Sequence, residues 1–168
     1  MQREKENRIR WITGTALLFA LVLVIQMLGF PQLVTGPLVN MVLLLATIFQ
    51  GIGSGVIIGF FTPWIAFSRG ILPPPLAPMI PFIMVGNAVL VIIFGAFLTR
   101  RTFLWKIVGI IAGALVKYLL LSQAVTFLVK VPGPVAQAMQ IPQLVTALLG
   151  GTLALGLEQV LRRTLVQR

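Results

Sequence analysis

Long apolar runs alternate along the chain with short polar, charged or proline-rich breaks. A helix that crosses a bilayer needs about 20 mostly apolar residues. The first such run is 11–28, behind the charged segment MQREKENRIR. That layout also resembles a secretory signal peptide. The run is longer than an h-region of about 7–15 residues, however, and Gln26-Met27-Leu28-Gly29-Phe30 offers no small-x-small cleavage site, so a retained helix is expected. Residues 36–69 are apolar almost throughout, yet as one helix they would reach about 50 Å. Gly51, Gly53 and Gly55 supply a break, giving helices over 36–50 and 53–68, both short enough to tilt or to thin the membrane locally. The next segment, 70–81, carries five prolines and is expected as a stiff, extended loop. A fourth helix follows over 81–98, with Pro81 in a favourable first-turn position. Helices over 106–129 and 141–161, separated by Pro132-Gly133-Pro134, complete six spans in a single membrane domain, 1–168.

Composition agrees with this pattern. Hydrophobic residues make up 58% of the chain and charged residues 10%, against roughly 25% charged in an average globular protein. A soluble surface cannot be covered with so few charges, and the expected class is an all-α integral membrane protein. The formal charge of +10 would suit a nucleic-acid partner, but its placement points to a lipid bilayer instead. With six spans and a cytoplasmic N-terminus, the inner side holds Arg3, Lys5, Arg8 and Arg10, then Arg100, Arg101 and Lys106, then Arg162, Arg163 and Arg168. Only Arg69 and Lys130 fall outside. Fusing 36–68 into one span swaps the later loops and evens the score at six against six. The positive-inside rule therefore favours six transmembrane helices with both termini cytoplasmic.

The chain has no cysteine and no histidine, and its only carboxylates are Glu4, Glu6 and Glu158. Thiol chemistry, imidazole acid–base chemistry and the usual zinc sites go with them, and no catalytic or metal-ligating residue is expected. A Gly-x-x-x-x-Gly-Lys-Ser/Thr loop is absent, so this chain is not expected to hydrolyse ATP itself. Gly51-x-Gly53-x-Gly55 echoes a dinucleotide fingerprint only faintly. It lacks the final glycine and the strand before it, and reads better as a tight turn between helices.

Lys117 is the most informative single residue. It lies eleven residues past Lys106, about 16 Å along the fifth helix and near the midplane of a hydrocarbon core about 30 Å thick. A central lysine costs roughly 2.5–3.5 kcal/mol on insertion scales, so it either snorkels to an interface or has a partner or a function. Gly109, Gly113 and Lys117 recur every fourth residue, a stripe of the kind that marks helix–helix contact, and this favours a protein-facing lysine. Gln26, Asn40, Asn87, Gln123, Gln140 and Gln143 fall in the outer half or near the midplane. Each can tie two helices together; jointly with Lys117 they describe a polar pocket opening outward, with the two proline-rich outer loops as lids. No outer-half carboxylate balances a cation, so the pocket would favour a carboxylate or another anionic group. Trp64, Phe82 and Tyr118 are candidates to stack on a ring, or else packing and belt residues. Ala16 and Ala20 form an Ala-x-x-x-Ala step, with Thr13 on the same face, along which another helix can approach closely.

These features together resemble the S component, the substrate-binding subunit, of an energy-coupling-factor (ECF) vitamin transporter. The shared marks are six helices, the Ala16–Ala20 strip in helix one, and the stretches Thr35-Gly-Pro-Leu-Val-Asn40 and Ala77-Pro-Met-Ile-Pro-Phe-Ile-Met-Val-Gly-Asn87. The last two are similar to segments of S components without an assigned substrate. The resemblance spans nearly the whole chain. It implies high-affinity capture of a vitamin-like or cofactor-precursor molecule from outside. It also implies docking through helix one on a transmembrane coupling subunit with two ATPase subunits, which use the ATP, and release by toppling of the S component in the membrane. By that resemblance Asn40, Asn87, Lys117 and Gln143 line the substrate pocket, and Ala16 and Ala20 form the partner interface. The missing histidine disfavours nickel or cobalt, and the missing outer acid disfavours cationic thiamine, which leaves an anionic or neutral molecule. The alternative is a structural or assembly subunit of a larger membrane complex with no solute of its own. An intramembrane enzyme would lack acid–base groups.

Overall fold

The computed structural model describes residues 2–100 and 102–166, so Arg101 and Arg168, counted above among the inner cations, lie outside the described residues. Every regular element in that range is helical: α1 Gln2–Met27, α2 Gln32–Gln50, α3 Ile52–Ser68, α4 Ile80–Leu98, α5 Phe103–Gln123, α6 Gly133–Ala138 and α7 Ile141–Val166. Five segments, α1, α2, α7 with α6, α4 with the turn before it and α5 with the turn after it, are long and apolar enough to cross a membrane. The sixth, α3, has 17 residues, or about 25 Å.

The helix ends differ from the sequence expectation for identifiable reasons. α1 begins at Gln2 rather than near Trp11, because the exposed Arg-, Lys- and Glu-rich segment consists of good helix formers and continues the helix past the apolar run. α2 begins at Gln32, behind Pro31, and absorbs Pro37 within its early turns. The break between α2 and α3 is one residue, Gly51, at φ 91° and ψ 170°, a backbone conformation that side chains disfavour. Gly55 is instead a packing residue: a methyl there would lie 3.2 Å from the Leu43 carbonyl oxygen of α2. The proline-rich segment is not extended throughout. Residues Pro74–Met79 wind into a 3-10 turn, since the φ fixed by proline near −65° suits that helix as well as an extended chain. α5 ends at Gln123 and relaxes into a π turn, Ala124–Leu128. Pro132 and Pro134 not only break the chain but start the short α6.

α2 runs through the middle of the bundle, and its Val42, Leu43, Leu44 and Ala46 are fully buried. One apolar core, with Leu44, Leu90, Phe94, Ile110 and Ala147, joins α2, α4, α5 and α7. A second, with Val22, Val42, Leu43, Ile58 and Val91, joins α1 to α4. The stripe Gly109, Gly113, Lys117 faces α4. A methyl at Gly113 would stand 2.9 Å from the Leu90 carbonyl oxygen, so the two backbones meet as directly as small residues permit. Tight seams of this kind set the register that brings the polar residues of different helices to one level.

The two ends of the bundle are chemically distinct. At one, Lys106 Nζ lies 2.6 Å and Arg162 Nε 2.8 Å from Glu158 Oε1, joining α5 to α7. There also Trp11 Nε1 donates to the Gln50 carbonyl at 2.9 Å and Arg100 lies 4.4 Å over the Trp105 ring. At the other end the 3-10 turn and α6 close together over the end of α5, packing Met79, Leu121, Ala124 and Met139 into a small third core.

Candidate functional site

Beneath that cap lies a cavity of about 440 Å³, within the usual range for small-molecule sites of about 300–1,000 Å³. Its walls come from the ends of α1 to α4, the middle of α5, α6 and the start of α7, with Ile71, Leu72, Pro73 and Leu76 of the proline-rich segment on one side. Asn40, Asn87, Lys117 and Gln143 all line it, and each is at most 5% exposed. Four helices separated in sequence by up to 103 positions thus present a buried polar side chain each to a common space.

Two of these side chains are held by backbone carbonyls and two by other side chains. Lys117 Nζ donates to Asn40 Oδ1 at 2.8 Å. Asn40 Nδ2 in turn donates to the Gly36 carbonyl oxygen at 3.0 Å, which fixes the amide so that its oxygen faces the lysine. Gly86 of α4 packs against the lysine stem: a methyl there would lie 3.4 Å from Lys117 Cγ, an ordinary contact. Gly150 of α7 makes room for Asn40, since a methyl would come within 2.6 Å of Asn40 Cβ. Asn87 Nδ2 bonds across to the Gly59 carbonyl oxygen of α3 at 3.1 Å. Gln143 makes a long contact from Nε2 to Met139 Sδ, 3.9 Å, and so retains most of its hydrogen-bonding capacity.

The charge arrangement is one-sided. No acidic residue lines the cavity, and among the described residues the ion pairs recorded are those of Glu158 at the far end. An ammonium carries three N–H donors, and Asn40 takes one of Lys117's. What the site offers is therefore a buried lysine amine with hydrogen-bonding capacity to spare, ringed by amides and apolar surface.

A family model described as ECF transporter, substrate-specific component, matches residues 10–161. The chain belongs to that family. No curated protein and no solved structure matches it. Proteins of this family are subunits of transporters, not enzymes, and the several long apolar helices make this one a multi-pass membrane protein.

In this S component the structure also parts from the sequence reading at several residues. Gln123 is exposed and Gln140, like Gln123, does not reach the cavity. The buried face of α5 runs through Lys117, Leu121 and Ala124, which turns Gln123 to the outside. Trp64, Phe82 and Tyr118 do not line it either; Trp64 is 55% exposed on the bundle surface, and Phe82 packs in the capping core. The aromatic residue that does reach the cavity is Phe30, in the link between α1 and α2. Gln26 lines the cavity too, and its Oε1 is buried without a hydrogen-bond partner. Gln26 belongs to the outward polar pocket expected from the sequence, though not to the four residues named for substrate binding; Thr35 and Met139 belong to neither set. Thr35 carried a usable signal, since it opens the Thr35–Asn40 stretch on which the resemblance rests. Met139 and Phe30 carried none, because loop geometry alone brings them in.

Ala16 and Ala20 lie on the face of α1 that the rest of the chain leaves bare. α1 buries Thr15, Val22 and Ile25 against its neighbours and exposes Ile12, Leu17, Leu21 and Val24. Of the five long spans it is the least covered, with 17% of its apolar window buried.

Proposed function

We propose that this S component captures a vitamin-sized anionic molecule, or a neutral one with a strong acceptor, in the cavity around Lys117. It then hands the molecule over while docked on a transmembrane coupling subunit with two ATPase subunits, which supply the ATP hydrolysis. The observation that carries this reading is the buried Lys117 amine, set in a cavity without a carboxylate and bonded through one donor to Asn40. A buried charge of this kind is costly unless paired, and an incoming carboxylate would accept from the remaining donors. Asn40, Asn87 and Gln143 would orient the rest of the ligand, with Gln26 nearer the mouth.

The distribution of basic residues supports an orientation with both termini cytoplasmic and the cavity opening outward, in a prokaryotic plasma membrane. The bare strip at Ala16 and Ala20 is the surface we assign to the coupling subunit. Mass spectrometry of small molecules released from the purified protein tests the reading. An anionic or neutral organic compound should copurify with the wild type and be lost from Lys117→Ala and Asn87→Ala. If no compound copurifies, or if both variants retain it, the capture role is wrong and an assembly subunit without a solute takes its place.

A further inference from the structure

Another cavity, also of about 440 Å³, lies at the end of the bundle that carries Glu158, as a groove between α5 and α7. α5 contributes Phe103, Ile107 and Ile111, and α7 contributes Leu148, Thr152 and Gly156. Its lining comes from these two helices alone, and Phe103 and Ile111 are 49% and 46% exposed, so the groove opens sideways to the surroundings of the bundle.

Gly156 shows that the groove is not merely a place where packing runs out. A methyl group on Gly156 would meet nothing within 4 Å. Gly109, Gly113, Gly150 and Gly151, on the same two helices, each abut a neighbouring helix. A glycine inside a helix weakens it relative to alanine, and no contact among the described residues makes use of the absent side chain. What the glycine does is deepen the groove, which suits an occupant that lies against the backbone.

The dimensions and the charge name the occupant. From Leu148 to Gln159, both on its wall, the groove runs about 16 Å along α7, half of a hydrocarbon core about 30 Å thick and so the depth of one leaflet. One turn beyond Gln159 the same face of α7 reaches Arg162 and Arg163. Arg162 and Lys106 together face a single buried carboxylate, Glu158, which leaves a surplus of positive charge at the mouth of the groove; Arg162 keeps its side chain 61% exposed. We propose that this groove binds an anionic phospholipid of the leaflet at the cationic end, with one acyl chain along Thr152 and Gly156 and the phosphate at Arg162 and Arg163. Thr152-x-x-x-Gly156 would also admit a partner helix. The lipid is favoured because the stripe ends on arginines at the interface, where a headgroup and not a helix supplies the opposite charge. The inference is independent of what fills the Lys117 cavity.

Native mass spectrometry of the full-length protein, offered equal amounts of palmitoyl-oleoyl phosphatidylglycerol and phosphatidylcholine, tests it. The wild type should retain phosphatidylglycerol about tenfold more than phosphatidylcholine, and Arg162→Gln with Arg163→Gln should remove that preference. Gly156→Leu, which fills the groove, should lower retention of phosphatidylglycerol about tenfold while far-ultraviolet circular dichroism stays unchanged. If Gly156→Leu perturbs the fold, Thr152→Leu serves in its place. Equal retention of the two lipids by the wild type overturns the proposal. So does undiminished phosphatidylglycerol binding in the filled-groove variant; if that variant also fails to assemble with the coupling subunit, the groove belongs to a partner helix.

Discussion

Lys117 and Asn40 depend on each other, and the dependence can be measured. Removing the Asn40 amide leaves the lysine buried with no acceptor among the described residues, so Asn40→Ala should destabilise the protein by about 1–3 kcal/mol. Lys117→Met removes the charge but keeps an apolar stem of similar length; it should cost little, and in the Asn40→Ala background it should restore most of the lost stability. Thermal unfolding in detergent of the two single variants and the double variant checks this. Additive losses would mean that the pair does not interact. The lysine was legible from the sequence because a midplane charge is conspicuous and its glycine stripe points it inward. Asn40, Asn87 and Gln143 were legible for a similar reason, as amides in apolar runs. Gln123 looked alike in composition but turned outward, because it lies six residues past Lys117, about 240° round the helix and off the face that Lys117, Leu121 and Ala124 share.

Glycine has opposite roles on two parts of α7. Gly150 presses on α2, where a methyl would stand 2.6 Å from the Pro37 carbonyl oxygen and 2.9 Å from the Met41 nitrogen, so Gly150→Ala should wedge the helices apart at a cost of about 1–3 kcal/mol. Gly156→Ala meets open space and should instead stabilise the helix by up to about 1 kcal/mol. Opposite shifts in melting temperature for two alanine substitutions six residues apart are the expected result. At the far end of α7, Glu158 is 3% exposed between Lys106 and Arg162. Glu158→Gln should lower the melting temperature more than Arg162→Gln does, since the exposed member of such a network contributes at most about 1 kcal/mol. The apolar runs located the long helices well, because a membrane helix is defined by length and hydrophobicity. Their ends were less legible. The 3-10 turn at Pro74–Met79 and the short α6 follow from docking over the end of α5, and proline content alone allows both wound and extended chain.

The whole molecule presents a closed flank and an open one. α1 leaves its Ala16 and Ala20 face uncovered, and bulk added there should disturb a partner and not the fold. Ala16→Leu with Ala20→Leu is expected to leave ligand binding by the isolated protein intact and to reduce uptake in cells at least about tenfold. Binding assays on the purified variant, set beside transport assays in cells with the coupling subunits, separate the two effects, and loss of binding would place the strip in the fold. The cavity, for its part, stops at Lys117. Below it Leu44, Leu90, Phe94 and Ile110 pack into one buried apolar core, and the α4–α5 seam at Gly109 and Gly113 is drawn tight. Such a body has a cup and no drain. Reconstituted alone in liposomes it should conduct neither ions nor solute, and a cell that makes it without its partners should suffer no leak of its membrane potential.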